Sequence, residues 1–223
     1  MAPLPGLLLL LVIVIPIAVL VAIAAKKRRK DLAAWAAANG FRFRPEKDRS
    51  LDDRLPGFSC LHQGRSRYGY NFIEGERDGR GVLAFDYHYV TGSGKHQQTH
   101  VFSALVLETR LPLKPLFIRP EGFLDKVTEF FGMDDIDFES VEFSRKFYVK
   151  SSDKRWAFDV IHQKTMEFLL AHPRHTIEFQ GRWVLVRRGE AKFPPPEFGE
   201  ALTVAEGILE RLPESMLKEL RKS

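Results

Sequence analysis

The chain is poor in cysteine. Cys60 is the one thiol among 223 residues, which excludes an internal disulfide and a Cys-rich zinc cluster and suits a reducing compartment. Charge is missing from the first 25 residues, and no internal repeat or low-complexity tract follows them. With 44% apolar and 28% charged residues, the composition is that of a globular protein, not of a disordered or collagen-like one. No spacing marks paired carboxylates or a Ser-His-Asp group, although such groups meet in space and not in sequence. The motifs name no reaction and imply no cofactor.

A surplus of charge outside one short segment is also lacking. The formal net charge is +5, which would ordinarily bring nucleic acid forward as a partner. Lys26, Lys27, Arg28, Arg29 and Lys30 account for all of it, because the other 29 basic residues equal the 29 acidic ones, every one of which follows Lys30. The body is electroneutral and offers no electrostatic footprint for DNA or RNA.

What is present is a long apolar opening. Leu4 to Ala25 carries no charged or strongly polar side chain and would make a helix of about 33 Å, matching a hydrocarbon core of about 30 Å. Pro16 kinks such a helix without forbidding it. Ala22-Ile23-Ala24 has the small-x-small form of a signal-peptidase site, but no basic residue precedes the apolar stretch and five follow it, so a retained anchor is the favoured reading. Lysine and arginine at one end of a span favour the cytoplasmic side. The expectation is a single-pass cell-membrane protein, its N-terminus outside and its domain cytoplasmic. Lys26, Lys27, Arg28, Arg29 and Lys30 would lie on the membrane surface, each gaining about 1 kcal/mol from anionic lipid headgroups.

The remainder reads as α+β: one domain with an antiparallel β-sheet covered by helices. Residues 1–25 form the anchor, 26–40 a basic connector helix, 41–193 the domain core, and 194–223 a C-terminal helix and tail. In the connector, Leu32, Trp35 and Ala36 share a face and Gly40 stops the helix; Trp35 could sit in the membrane interface or plug into the domain. Phe41 to Arg44 is a short strand, and Pro45 to Pro56 a charged loop. Phe58 to His62, Tyr68 to Gly75, Gly81 to Val90 and Thr99 to Thr109 read as strands of a meander punctuated by glycines. Glu121 to Phe131 reads as a helix, Val141 to Lys150 as a strand, and Lys154 to Ala171 as one helix capped by Ser152-Asp153. Thr176 to Arg187 reads as a hairpin about Gln180-Gly181, and Phe198, Leu202, Ala205 and Leu209 stripe a last helix after Pro194-Pro195-Pro196.

Few constellations could carry chemistry. Gly92-Ser93-Gly94-Lys95 has the look of a phosphate loop, but Tyr89 stands where the first glycine is needed and the context is a hairpin. The acidic run Asp134, Asp135, Asp137 and Glu139 lacks the glycine and spacing of a calcium loop. His172 and His175 at a helix end read as capping. Asp86, His88, His96 and His100 are the local metal-type ligands, with Asp86, His88 and His100 the candidate set, and their convergence depends on register. With Phe85 opposite Phe102, His88 and His100 fall on opposite faces; a one-residue slip would bring them together.

The anchor and its basic stop, Ala38-Asn39-Gly40-Phe41, the Phe85-Asp86-Tyr87-His88-Tyr89 strand, Leu111-Pro112-Leu113 before Arg119-Pro120-Glu121, and Ile136-Asp137-Phe138 before Phe143-Ser144-Arg145-Lys146-Phe147 resemble an uncharacterised family of bacterial single-pass membrane proteins. The resemblance implies a membrane helix carrying a cytoplasmic α+β domain, and no activity. The expected function is a membrane-tethered, non-enzymatic binding module whose partners are the lipid bilayer and a membrane or cytoplasmic protein. The alternatives are a membrane-anchored metal-dependent or hydrolytic enzyme using Asp86, His88 and His100, and, if the topology is reversed, an extracytoplasmic envelope-binding domain.

Overall fold

The computed structural model describes residues 4–122 and 134–222, with side chains from Val14 onward except at positions 134 and 135. It opens with a continuous helix, α1 (Leu4–Ala38), which runs through Pro16 and through the basic cluster. The sequence at its end dictates the stop. Gly40 takes φ +77°, and the Phe41 and Gly40 amides donate to the carbonyls of Ala36 and Ala37 at 2.8 and 3.3 Å, the paired bonds of a glycine-terminated helix. Among the described residues no helix is long and apolar enough to cross a membrane.

Among the described residues seven strands form one antiparallel sheet: β1 (Arg42–Arg44), β2 (Arg65–Arg77), β3 (Arg80–Thr91), β4 (Gln98–Pro120), β5 (Asp134–Asp135), β6 (Phe147–Ser151) and β7 (Thr176–Arg187). The order is β1-β2-β3-β4-β6-β5, and β7 pairs with the other edge of β4 along nearly its whole length. The apolar run from Val101 to Leu107 therefore belongs to a central strand, covered on both faces. One face packs on α1 and on α4 (Lys154–Val160), α5 (Gln163–Ala171), α6 (Pro195–Glu210) and α7 (Glu214–Leu220). The other is closed by Leu51 and Leu55 around the short α2 (Leu51–Arg54) and by Phe58 and Leu61, over a bed of Phe72, Phe85, Tyr87 and Phe102.

Several local expectations are corrected. The charged loop at 45–56 contains α2. Phe58 to His62 is not a strand but a 3-10 turn at Ser59–Leu61; its buried apolar residues plug the sheet from outside, and period alone cannot tell such a plug from a buried strand. Val141 to Lys150 begins as a helix, α3 (Val141–Lys146), because Ser140 accepts a hydrogen bond from the Phe143 amide at its start. The single helix expected over 154–171 breaks at Ile161-His162, where the His162 ring bonds the Arg211 carbonyl at 2.7 Å. The hairpin about Gly181 is one bent strand: Gly181, at φ +57°, pairs with Leu113 where β4 also bends. The helix expected over Glu121 to Phe131 lies mostly outside the described residues.

Candidate functional site

In β3, Phe85, Tyr87 and Tyr89 point to the aromatic face, as their alternation predicts, and all three are buried. Asp86 points to the helix face and is fully buried as well. A carboxylate there must be paired. Its partner is Arg28, 58 positions earlier, which donates from Nε at 2.8 Å and from Nη2 at 2.5 Å. Ser103 Oγ, directly across the ladder, donates at 2.6 Å.

The fourth donor comes from a distortion of β2. Asn71 and Phe72 together oppose Phe85 as a β-bulge, with Asn71 at φ +54°, a conformation asparagine tolerates better than most residues. The bulge re-aims Asn71 so that its Nδ2 donates to Asp86 at 2.8 Å. Arg28 also donates to the Phe193 carbonyl at 2.9 Å, and the Phe193 amide donates to Ser103 Oγ at 2.9 Å. One carboxylate thus ties α1, β2, β3, β4 and the segment before α6 together. Behind it on α1, Leu32 and Ala36 are buried and Trp35 rests between Phe41 and Phe198 at ring separations of 6.1 and 6.0 Å. Trp35 plugs into the domain.

Of the five residues assigned to the membrane surface, Arg28 is therefore misplaced. Lys26, Lys27, Arg29 and Lys30 are exposed, whereas the Arg28 side chain keeps only 19% of its surface. Nor do Asp86, His88 and His100 come together. The ladder places Phe85 opposite Ala104 and Tyr87 opposite Phe102, two residues away from the Phe85–Phe102 pairing, and an even shift leaves each side chain on its own face. His88 stacks on Tyr68 at 4.5 Å on the helix face. His100 stacks on Tyr89 at 4.6 Å on the opposite face and bonds Thr91. Among the described residues no group of three His, Cys, Asp or Glu could hold a metal.

A second polar cluster was not foreseen. His175, read as a helix-end residue, is buried 3.5 Å from Glu197, which also faces Arg188 Nε at 3.1 Å. Burial pushes His175 down to about 4 and pushes the Glu197 carboxyl up. His172 does cap α5, its Nδ1 bonding the Phe168 carbonyl at 2.8 Å. The glycine-rich segment at 92–97 is the tip of the β3–β4 hairpin, with Gly92 and Gly94 at positive φ. A cleft of about 870 Å³ at the β2–β3 turn is lined by Arg80, Glu108, Arg110, Arg182 and Arg221 and includes none of the Asp86 network.

No protein-family profile matches the chain, and no curated protein matches it. Its fold is similar to that in the crystal structure of the mycobacterial trehalose monomycolate transport factor A, TtfA: the TM-score is 0.64 at 15% identity, over 85% of this chain and 96% of that one. At that identity the likeness establishes a shared α+β architecture and no more.

Proposed function

We propose that the chain is a membrane-tethered, non-enzymatic interaction module that serves a transport assembly at the bilayer. The observation that carries this reading is the change of character along α1. Val14, Ile15, Leu20, Val21 and Ile23 are 50% to 64% exposed and touch nothing that would bury them, whereas from Arg28 onward the same helix is built into the core. An apolar helix projecting from a folded domain needs an apolar environment, and the uncharged residues before Val14 extend it to the length of a bilayer core. The rigid root makes α1 an arm that holds the domain at a set attitude to the bilayer. The likeness to a transport factor supports a role beside a transporter.

The Arg28 side chain occupies Asp86, which argues against the metal-dependent alternative. Membrane flotation after carbonate washing tests the tether: the chain should stay with the lipid. A mature protein that begins near residue 25, or one released by carbonate, would refute it. A C-terminal reporter fusion should be active in the cytoplasm; activity outside would instead support the envelope-facing alternative. Cross-linking in intact membranes should then trap the domain on an integral-membrane transporter, and trapping on soluble enzymes alone would overturn the transport role.

A further inference from the structure

The sheet carries an aromatic and basic patch at the level where α1 leaves it. Two contacts give the direction of the helix over the sheet. Arg28 meets Asp86, while Phe41, after the helix end, lies against Gly75, where a Cβ would come within 2.9 Å of its ring; Gly75 pairs with Val82. Travelling toward the helix N-terminus therefore means travelling along β3 from Val82 to Asp86. His88 and its partner Tyr68 lie beyond Asp86 in that direction, by about 7 Å.

That places them about 2.5 Å past the end of the apolar run, at the boundary between headgroups and acyl chains. Ala25, the last residue of the apolar run, precedes Arg28 by three residues, about 4.5 Å of helix. The headgroup layer on each side of a bilayer is roughly 5–7 Å thick. Around this level Tyr68, Tyr70 and His88 form a continuous half-exposed aromatic surface, with Tyr68 5.7 Å from Tyr70 and 4.5 Å from His88. Lys47 Nζ lies 4.3 Å over the Tyr68 ring and Lys192 Nζ 6.0 Å from the Tyr70 ring. Arg29 is close enough to Tyr70 to act on its ionisation.

Among the described residues no carboxylate pairs with Arg29, Lys47 or Lys192. Acids within two positions of these cations are engaged elsewhere, Asp31 by Lys27, Asp48 by Ser50 and Arg54, and Glu190 by Tyr89 and His100, except the exposed Glu46 beside Lys47. Tyrosine rings beside unpaired cations suit the boundary between water and acyl chains, and the cations suit anionic headgroups.

We propose that Tyr68, Tyr70 and His88, with Arg29, Lys47 and Lys192, seat the domain on the anionic headgroups of the bilayer that holds α1. This rests on the tethered reading above. It adds a second contact with the membrane, made by the sheet and not by the anchor, and the two together would fix the domain's rotation about α1.

The test uses the full chain in nanodiscs of phosphatidylcholine, alone or mixed with phosphatidylglycerol, and reads the rate at which each lysine is acylated. Lys218, exposed on α7 near the far end of the sheet, serves as the internal reference. Lys47 and Lys192 are expected to react about fivefold more slowly in the anionic discs, and a Tyr68→Ser, Tyr70→Ser double variant should restore the neutral-disc rates. Equal rates in the two lipids, with the chain retained in the discs, would overturn the inference and leave the tether standing. The same protection in detergent micelles would assign the patch to a protein contact and also overturn it. A chain that never enters the discs would sink the tethered reading, and this inference with it.

Discussion

Phe193 stands between two buried polar clusters that are built differently. On one side its backbone bonds Arg28 and Ser103, and Asp86 receives four hydrogen bonds from three side chains. On the other its ring meets His175 edge-on at 5.9 Å, and there neither His175 nitrogen nor Glu197 Oε1 has a hydrogen-bond partner. Both clusters remove charge from water beneath the same phenylalanine. In the first each buried charge faces an opposite one; the second moves toward neutrality, with the imidazole depressed and the carboxyl raised. The difference separates a structural pin from a pH-responsive site within one core.

Breaking the pin should have the largest effect. Arg28→Ala leaves Asp86 buried with only Asn71 and Ser103 as donors, and stranding one partner of a buried pair costs about 3–5 kcal/mol. Urea unfolding of the full chain in mild detergent should show that loss, together with faster proteolysis at the root of α1. A loss below about 1 kcal/mol would mean that Leu32, Trp35 and Ala36 alone hold the helix and that the network is incidental.

Much of the frame around these clusters was legible. Alternation from Leu83 to Tyr89 predicts which side chains of β3 face the aromatic layer, Gly40 marks the end of α1, and Asp153 caps α4 by accepting from the Trp156 amide at 3.0 Å. The pin was half legible: Asp86 stands out as a carboxylate among the alternating aromatics of its strand, but nothing local says which partner it takes. Arg28 looked like one of five equivalent cations because helical phase, which sets it apart from Lys27 and Arg29, matters only once the sheet beneath is placed. The bulge at Asn71 leaves no mark on the alternation of β2, and a glycine at 181 serves a bend as well as a turn. His175, in the run after α5, reads as part of a helix-end cap; the Phe193 ring and Glu197 that pack against it lie some twenty positions on.

The second cluster should reveal itself through pH. Unfolded, His175 binds a proton near 6.5; folded, burial holds it down to about 4. As pH falls below 6.5 the unfolded chain gains a proton that the folded chain refuses, so stability declines, by about 1.5 kcal/mol from this group between pH 6.5 and 5. The raised Glu197 acts in the opposite sense, since its folded form takes up a proton first. His175→Leu should therefore remove the decline or reverse it slightly over that range, read as urea midpoints at the two pH values. An unchanged slope would mean that the pH dependence does not arise at His175.

Ser103→Ala probes the pin more gently. Ser103 is fully buried, donates to Asp86 and accepts from the Phe193 amide, so its removal leaves that amide without its acceptor and Asp86 with one donor fewer. A loss of about 1–2 kcal/mol is expected, smaller than for Arg28 because the charge pair survives. A loss as large as that of Arg28→Ala would show that the hydroxyl, and not the guanidinium, organises the network.

The smallest effect sharpens the contrast most, because it comes from the residue next to Arg28. Lys27 also makes an ion pair, to Asp31 at 2.8 Å, but its side chain is 76% exposed and the pair lies along one helix face. Exposed pairs of this spacing contribute about 0.3–0.5 kcal/mol and are weakened by salt. Lys27→Ala should shift the urea midpoint by no more than that, and raising the salt concentration should erase the difference, while the loss in Arg28→Ala should persist in salt because water and ions do not reach Asp86. Two neighbouring cations, one step apart on the same helix, would then differ about tenfold in what they contribute, and the step between them would locate where α1 passes from arm to core.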